Sequence, residues 1–227
     1  MLIILNHKMN LNIKEIKEYE KSLRNYNIVI MPQTLYMSLF TEGEYILGSQ
    51  CISEYTATGG VSVEALVHLG VKYVLVGHYE RRSIKRDTNE VIIKKIVECL
   101  KNNIIPILCI GDEDVKENES LKQQINIVFN NVKEGLDKII IAYEPIQNIG
   151  TDSFLNFKII EEKIFFIHQY VKEKFFLTKD ILYGGSVNSK NIKNLKNINH
   201  LKGVILGSAS LNIKEVIDIY NEVTLKK

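Results

Sequence analysis

The chain has 227 residues, of which 45% are hydrophobic and 25% charged, so it is long and apolar enough to fold around a large core. Its 29 Lys and Arg residues nearly balance its 27 Asp and Glu residues, and the net charge of +2 argues against a nucleic-acid or anionic-membrane partner. Three cysteines without a CxxC spacing argue against a disulfide framework and a zinc site. The first apolar run ends after Leu5, too early for a signal peptide or a membrane span, so we expect a cytoplasmic protein.

Eight short apolar runs recur along the chain, and each is mostly continuous, as in strands buried on both faces. They cover residues 2–5, 28–31, 45–50, 72–76, 104–110, 138–143, 180–184 and 203–207. The charged stretches between them carry apolar residues at helical spacing. Two such sets are Ile92, Ile96, Val97 and Leu100, and Ile125, Val128, Phe129 and Val132.

This alternation of strand and helix, without a Pro-, Gly- or Ser-rich linker, predicts one continuous α/β domain over residues 1–227. An eight-stranded parallel (β/α)8 barrel is the economical architecture, and a doubly wound open sheet is the alternative. Such a sheet usually has a Gly-rich turn after its first strand. Here Asn6, His7 and Lys8 follow that strand, which disfavours a dinucleotide-binding fold.

Polar residues follow several of the predicted strands. Asn6 and Lys8 follow the first strand, His78 and Glu80 follow the fourth, and Glu144 follows the sixth. In a parallel barrel the ligand site lies at the carboxyl ends of the strands. We therefore expect these side chains to share one rim.

Glu144 and His78 are candidates for proton transfer. Glu144 closes an apolar run and precedes Pro145, which ends the strand, and partial burial makes a carboxylate a more effective base. His78 is predicted at a helix amino terminus, where the positive helix end favours a neutral imidazole that donates to a carbonyl. Lys8 is a fixed cation that phosphate chemistry would need. The alternatives are a rim glutamate paired with lysine, a capping or core histidine, and an exposed lysine.

Two turns of small residues, YGGSV at 183–187 and LGSAS at 206–210, join the last two strands to helices. Small side chains let backbone N–H groups approach an anion, so the pair predicts a phosphate site. The polar stretch 147–153 directly follows Glu144 and is typical of a loop that closes over a ligand. Closure would bring Ile149 against Glu144; an ordinary connector is the alternative.

Six motifs in one order resemble the triosephosphate isomerase family: N-x-K, GHYERR, PILCIG, AYEPIQNIGT, YGGSV and LGSASL. The resemblance extends from residue 6 to about residue 211. It implies a TIM barrel that interconverts dihydroxyacetone phosphate and D-glyceraldehyde 3-phosphate, in glycolysis and gluconeogenesis, without a cofactor or metal. It implies that Glu144 moves a proton between C1 and C2 through a cis-enediolate while neutral His78 donates to the oxygens. Lys8 and Asn6 would stabilise the oxyanion, and Glu80 would position Lys8.

The resemblance also implies phosphate binding by the backbone N–H groups of Gly150, Ser186, Gly207 and Ser208. Ile149 would belong to the lid that protects the enediolate from phosphate elimination. Four residues depart from the family pattern. They are Gln147 in place of Trp, Asn148 in place of Ala, Asp152 in place of Gly, and Ser208 in place of the second Gly of the turn after the eighth strand. We expect Gln147 and Asp152 to alter lid closure, and so to affect turnover or phosphate affinity more than the chemistry.

Members of this family are usually homodimers in which the loop after the third strand reaches into the neighbouring subunit. Here that loop spans 52–61, with Thr58 at the crossing position and Gly60 where an acidic residue is common. The resemblance therefore implies a homodimer whose small-molecule partner is a triose phosphate.

Two other functions are possible on the same fold. Another phosphate-binding barrel, acting on a different phosphosugar or on a thiamin or tryptophan precursor, would explain the glycine turns but not Asn6, Lys8, His78 and Glu144 together. A noncatalytic phosphometabolite-binding or adhesion protein would be signalled by the loss of a catalytic residue, and none is lost. The sequence leaves open whether Cys109 does more than pack.

Overall fold

The computed structural model describes residues 1–40, 45–55, 58–84, 87–148 and 155–224. Its strands are β1 (Leu2–Asn6), β2 (Val29–Met31), β3 (Ile46–Ser49), β4 (Tyr73–Val76), β5 (Ile105–Ile110), β6 (Ile140–Tyr143), β7 (Ile181–Tyr183) and β8 (Leu201–Leu206). They pair in parallel in chain order, and the sheet closes where Leu2 of β1 pairs with Gly203 of β8. The predicted (β/α)8 barrel is confirmed, and the open-sheet alternative is wrong because an open sheet has two unpaired edges.

Helices lie between the strands and cover the outside of the barrel. They are α1 (Ile13–Ser22), α2 (Val63–His68), α3 (Tyr79–Ser83), α4 (Asn89–Lys101), α5 (Glu119–Asn131), α6 (Phe157–Phe175), α7 (Ile192–Leu195) and α8 (Ile213–Thr224). Short 3-10 helices cover Thr34–Phe40, Leu136–Lys138, Ile146–Asn148 and Ser208–Leu211. No helix in the described ranges is both long and apolar enough to cross a bilayer.

The strands are continuously apolar because both of their faces are buried. One buried cluster fills the barrel interior and includes Ile4, Val29 and Ile205. A second, larger cluster lies between the outer face of the barrel and the helices, and it includes Ile3 and Leu5. Successive side chains of β1 thus enter opposite apolar layers, as the pleat of a strand requires.

The two predicted helical faces pack against the outside of the barrel. Ile92 and Ile96 of α4 are buried, and so are Ile125, Val128 and Phe129 of α5. The helical elements after β2 and β7 differ from a regular amphipathic helix. The first is a 3-10 helix, and α7 has only four residues. Asparagine-rich sequence around α7 is a poor helix former, which accounts for its length.

Candidate active site

The carboxyl ends of the eight strands form one rim, and the polar residues selected from the sequence lie on it. Asn6 ends β1, His78 follows β4 and caps α3, and Glu144 directly follows β6. The two turns of small residues follow β7 and β8. The prediction that these positions share one rim is confirmed by the parallel, closed strand order.

The His78 side chain is buried and held in one tautomer. Its Nδ1 accepts a hydrogen bond from the backbone N–H of Glu80 at 3.2 Å, as expected of the residue that caps α3. A ring nitrogen that accepts cannot carry a proton, so the neutral ring bears its proton on Nε2. That nitrogen lies 3.7 Å from Oε1 of Glu144. The Nε2 edge of the ring therefore lies next to the carboxylate.

The Glu144 carboxylate is only 3% exposed and is fixed from several directions. Its Oε2 accepts the backbone N–H of Tyr79 at 3.3 Å, and its own N–H donates to the carbonyl of Ile110 at 2.8 Å. Gly184 lies against the side chain so closely that a Cβ there would stand 2.9 Å from Glu144 Cγ. Sequence continuity with β6 and close packing therefore determine where this carboxylate points.

Cys109 and Arg82 lie beneath the carboxylate. Cys109 points into the barrel interior, where burial and then the charge of Glu144 raise the pKa of its thiol well above the usual value. The thiol therefore stays protonated beside the carboxylate. Arg82 donates to the carbonyls of Gly77 at 2.7 Å and Cys109 at 3.2 Å, so it ties the end of β5 to the turn before His78. Burial lowers the pKa of Arg82.

Lys8 and Asn6 form the third side of the site. The Lys8 ammonium lies 2.6 Å from Oε1 of Glu80, and the Lys8 N–H donates to Oδ1 of Asn6 at 3.2 Å. Lys8 adopts a left-handed backbone with φ of 51°, a conformation that non-glycine residues rarely keep without support. Gln50 gives part of that support, because its amide donates to the carbonyls of Lys8 and Met31, both at 2.9 Å.

The turns after β7 and β8 are organised by backbone groups. The Gly184 N–H donates to the carbonyl of Tyr143 at 2.9 Å, and Asn191 donates to the carbonyl of Ser186 at 2.9 Å. Ser208 begins a 3-10 helix directly after Gly207, and its side chain is exposed. Both turns thus bring small residues and main-chain groups to the rim, and Gly184 of the first turn lies against the Glu144 side chain.

The structure does not test the roles predicted for several residues of the lid, the phosphate site and the dimer contact. Ile149, Gly150 and Asp152 are outside the described residues. Gln147 is described, and its side-chain amide donates to the backbone carbonyl of Glu113. Thr58 is exposed in the loop after β3. The roles predicted for these residues therefore stay predictions.

Sequence analysis missed Gln50, Arg82 and Asp112, which support the site from behind. Gln50 and Asp112 could have been found by the rule that selected the others, because both follow a strand at the carboxyl rim. No sequence signal marked Lys163, whose ammonium lies 2.7 Å from Asp112 although it comes from α6. Within the ranges that the structure describes, no group of three or more His, Cys, Asp or Glu side chains could hold a metal ion.

Comparisons with known proteins agree with this geometry. A sequence model of the family described as triosephosphate isomerase matches residues 1–223. Proteins named triosephosphate isomerase are 35% identical to this chain in Buchnera aphidicola subsp. Cinara cedri, 34% in Mycoplasma mobile and 36% in Aquifex aeolicus. The matches cover 97%, 96% and 93% of this chain and 98%, 98% and 94% of those proteins, respectively. This chain therefore belongs to the triosephosphate isomerase family, and it is an isomerase that interconverts triose phosphates in glycolysis.

Proposed function

We propose that Glu144 is the base and His78 the hydrogen-bond donor in the interconversion of dihydroxyacetone phosphate and D-glyceraldehyde 3-phosphate. The observation that carries this proposal is the buried Glu144 carboxylate 3.7 Å from Nε2 of His78, on the rim that also bears Lys8. A buried carboxylate beside a hydrogen-bond donor suits proton transfer next to a carbonyl.

The proposed steps conserve protons. Glu144 removes a proton from C1 of dihydroxyacetone phosphate, and the electron pair moves onto the carbonyl oxygen to give a cis-enediolate. His78 gives its Nε2 proton to the C2 oxygen and takes up the proton of the C1 hydroxyl in return. Glu144 then returns its proton to C2 as the C1 carbonyl forms, which gives the aldehyde. No oxidant or cofactor is needed, since the hydrogen leaves and re-enters the same substrate.

Lys8 supplies the fixed positive charge for the developing oxyanion. Its ammonium is paired with Glu80 at 2.6 Å, so Glu80 orients it, while Asn6 accepts the Lys8 N–H and adds a polar side chain. The strained backbone of Lys8 supports this role, because strain of this kind is retained where a side chain must occupy one position.

The phosphate group is proposed to bind to backbone N–H groups of Gly150, Ser186, Gly207 and Ser208. The small residues of the turns after β7 and β8 support this, because they leave the main chain accessible at the rim. Ile149 is proposed to cover the enediolate, since exclusion of water protects a reactive intermediate from elimination.

The test is a coupled assay of glyceraldehyde 3-phosphate isomerisation with the purified protein, Glu144→Gln and the matched control Glu119→Gln, which alters an exposed glutamate of α5. We expect rapid turnover by the wild type and by the control. Glu144→Gln should lose about 10²- to 10⁴-fold in kcat, because a neutral amide cannot accept the proton. Wild-type turnover by Glu144→Gln would rule out this residue as the base.

We further propose that the protein is a homodimer formed through the loops after the first four strands. Large apolar side chains are exposed on all four of these connections, with exposures of 84% for Met9, 82% for Leu35, 66% for Tyr55 and 69% for Ile84. Neighbouring strands bring these loops to one side of the rim, and exposed apolar patches mark interfaces. Thr58 on the loop after β3 is proposed to reach the Lys8 region of the second copy. A fully active monomer at micromolar concentration by light scattering would contradict this.

Residues 1–227 are proposed to form one domain that works in the cytoplasm. All three cysteines are free, although Cys99 and Cys109 are buried, and burial raises the pKa of Cys99 to about 12. Free thiols agree with a reducing compartment. Localisation of a tagged protein by fluorescence microscopy tests this proposal.

A further inference from the structure

A buried ion pair lies directly behind the strand end that carries Glu144. Asp112, two residues after β5, is 2% exposed, and its Oδ2 lies 2.7 Å from the Lys163 ammonium. Lys163 is 4% exposed and belongs to α6, the helix that follows the proposed lid in the sequence. The two residues are far apart in the chain and meet because α6 packs against α5, beside the loop that follows β5.

The Lys163 ammonium donates to the carbonyl of Glu117 at 2.6 Å and to Oδ1 of Asn118 at 2.9 Å. Its contact with Asp112 is an ion pair, and Oδ2 of Asp112 accepts no hydrogen bond from the residues that the structure describes. Burying two charges costs free energy that their attraction often fails to recover, so such a pair is weak as a source of stability. A better account of its presence is that it fixes one arrangement of the groups around it.

Those groups lie immediately on both sides of Glu144. Oδ1 of Asp112 accepts the hydroxyl of Tyr143 at 3.0 Å, and the Asp112 carbonyl accepts the N–H of Ile146 at 3.1 Å. Gly111 lies so close to the same segment that a Cβ there would stand 2.3 Å from the Glu144 carbonyl oxygen. The loop 111–112 therefore holds the backbone before and after the carboxylate.

We propose that Lys163 is a positioning residue for Glu144 and acts through Asp112 and Tyr143. Without the ammonium, the Asp112 carboxylate has no opposite charge, so it reorients and releases the Tyr143 hydroxyl. The backbone on either side of Glu144 then gains freedom, and the carboxylate leaves the position facing His78. This inference rests on the proposed role of Glu144 as the base.

The experiment compares kcat and KM for Lys163→Met, Tyr143→Phe and the double variant, in the isomerisation assay and below the thermal unfolding midpoint of each protein. We expect each single variant to lower kcat about 10-fold with KM changed less than about 2-fold, since misplacement of a reacting group by 1 Å costs up to about 100-fold. The double variant should lose no more than the larger single loss, because both changes break the same link.

Lys179→Met is the matched control. Lys179 is also a buried lysine with a backbone acceptor, the carbonyl of Leu136, but it precedes β7 at the opposite end of the barrel. A structural effect of removing a buried ammonium should lower the unfolding midpoint of both lysine variants, whereas only Lys163→Met should lower kcat.

Unchanged kcat in folded Lys163→Met, equal loss in Lys179→Met, or multiplied losses in the double variant would overturn the proposal. Tyr143→Phe leaves no charge unpaired, so it tests the same link if Lys163→Met does not fold; unchanged kcat in that variant also overturns it. Failure of the base assignment is separate, because it would appear as full activity of Glu144→Gln.

Discussion

Two halves of the rim are built in different ways. In the side-chain half, at the ends of β4, β5 and β6, the groups that face the mouth are the His78 ring and the Glu144 carboxylate, 8% and 3% exposed. In the backbone half, at the ends of β7 and β8, the turns consist of glycines and serines, and Ser208 is exposed. In the first half, buried side chains at the mouth are held by hydrogen bonds. In the second half, small residues present the main chain, which the Asn191 side chain helps to hold.

This difference matches the two proposed tasks. The proposed proton transfer needs groups at set distances, and the burial of Glu144 and the capping of α3 by His78 fix both side chains. The proposed phosphate binding needs several N–H donors around one dianion, and turns of small residues leave the main chain accessible for it. Changes in the side-chain half should therefore lower kcat, and changes in the backbone half should raise KM.

We expect the largest fall in kcat when His78, the proposed hydrogen-bond donor of the side-chain half, is replaced. His78→Gln removes the ring whose Nδ1 caps α3 and whose Nε2 faces Glu144. We expect kcat to fall about 10²- to 10⁴-fold, the usual range for loss of a positioned acid or base. Steady-state kinetics measure it, and His68→Gln, at an exposed histidine at the end of α2, is the control. An effect mainly on KM would contradict the assignment of kcat effects to the side-chain half.

We expect a smaller loss of kcat from a substitution at Gly184, where the turn after β7 contacts Glu144. Gly184→Ala places a Cβ 2.9 Å from Glu144 Cγ and 3.3 Å from Oε1, so the carboxylate must shift. We expect kcat to fall about 10- to 100-fold while the protein stays folded. Kinetics together with circular dichroism measure both properties. Unaltered kcat would mean that the resting position of Glu144 is not the one that reacts.

A negative charge introduced at the turn after β8 tests whether the backbone half binds phosphate. Ser208→Asp adds a carboxylate at the turn after β8, which repels a phosphate dianion. We expect KM to rise about 10-fold or more with kcat changed little, and Ser208→Asn, of similar size and without charge, to change KM much less. Equal effects of the two variants would argue against phosphate at this turn.

The smallest effect on turnover is expected at His7, which supports the residues of β1 between the two halves. Neither of its buried ring nitrogens has a hydrogen-bond partner in the part of the chain that the structure describes, and the ring packs edge-on against Tyr19 at 4.8 Å. Burial lowers the pKa of His7 from 6.5 to about 4. Between these values the unfolded chain binds a proton that the folded chain does not, so stability falls as the pH falls.

The unfolding free energy should therefore drop by about 2 kcal/mol through His7 between pH 7.5 and pH 5. Urea unfolding at the two pH values measures it, and His7→Phe should lack this part of the drop while keeping its kinetic constants at pH 7.5. Identical pH dependence in the two proteins would contradict the assignment of the drop to His7.

The fold and most of the site positions could be predicted from the sequence because they depend on local patterns. All eight apolar runs became strands, and Glu144 could be located because a polar residue ended such a run before a proline. The pair of Asp112 and Lys163 could not be predicted, since it depends on how α6 packs against α5, beside the loop after β5. A lysine within an apolar helix face looks like any solvated lysine until the packing is known.

The contacts that stabilise the Lys8 backbone could not be predicted from the sequence either. Its left-handed backbone and its contact with Gln50 depend on β1, β2 and β3 lying side by side, which no spacing in the sequence reports. The family pattern supplied the expected roles, whereas tertiary contacts supply the reasons why these side chains hold their positions.

The most direct test of the account is hydrogen exchange between substrate and solvent. Dihydroxyacetone phosphate in D₂O is followed by proton NMR with the wild type and with Glu144→Gln. We predict deuterium on carbon in the wild-type reaction, and a loss of both exchange and isomerisation by the same factor in the variant, because one carboxylate removes and returns the proton. Exchange at the wild-type rate in Glu144→Gln would contradict the account.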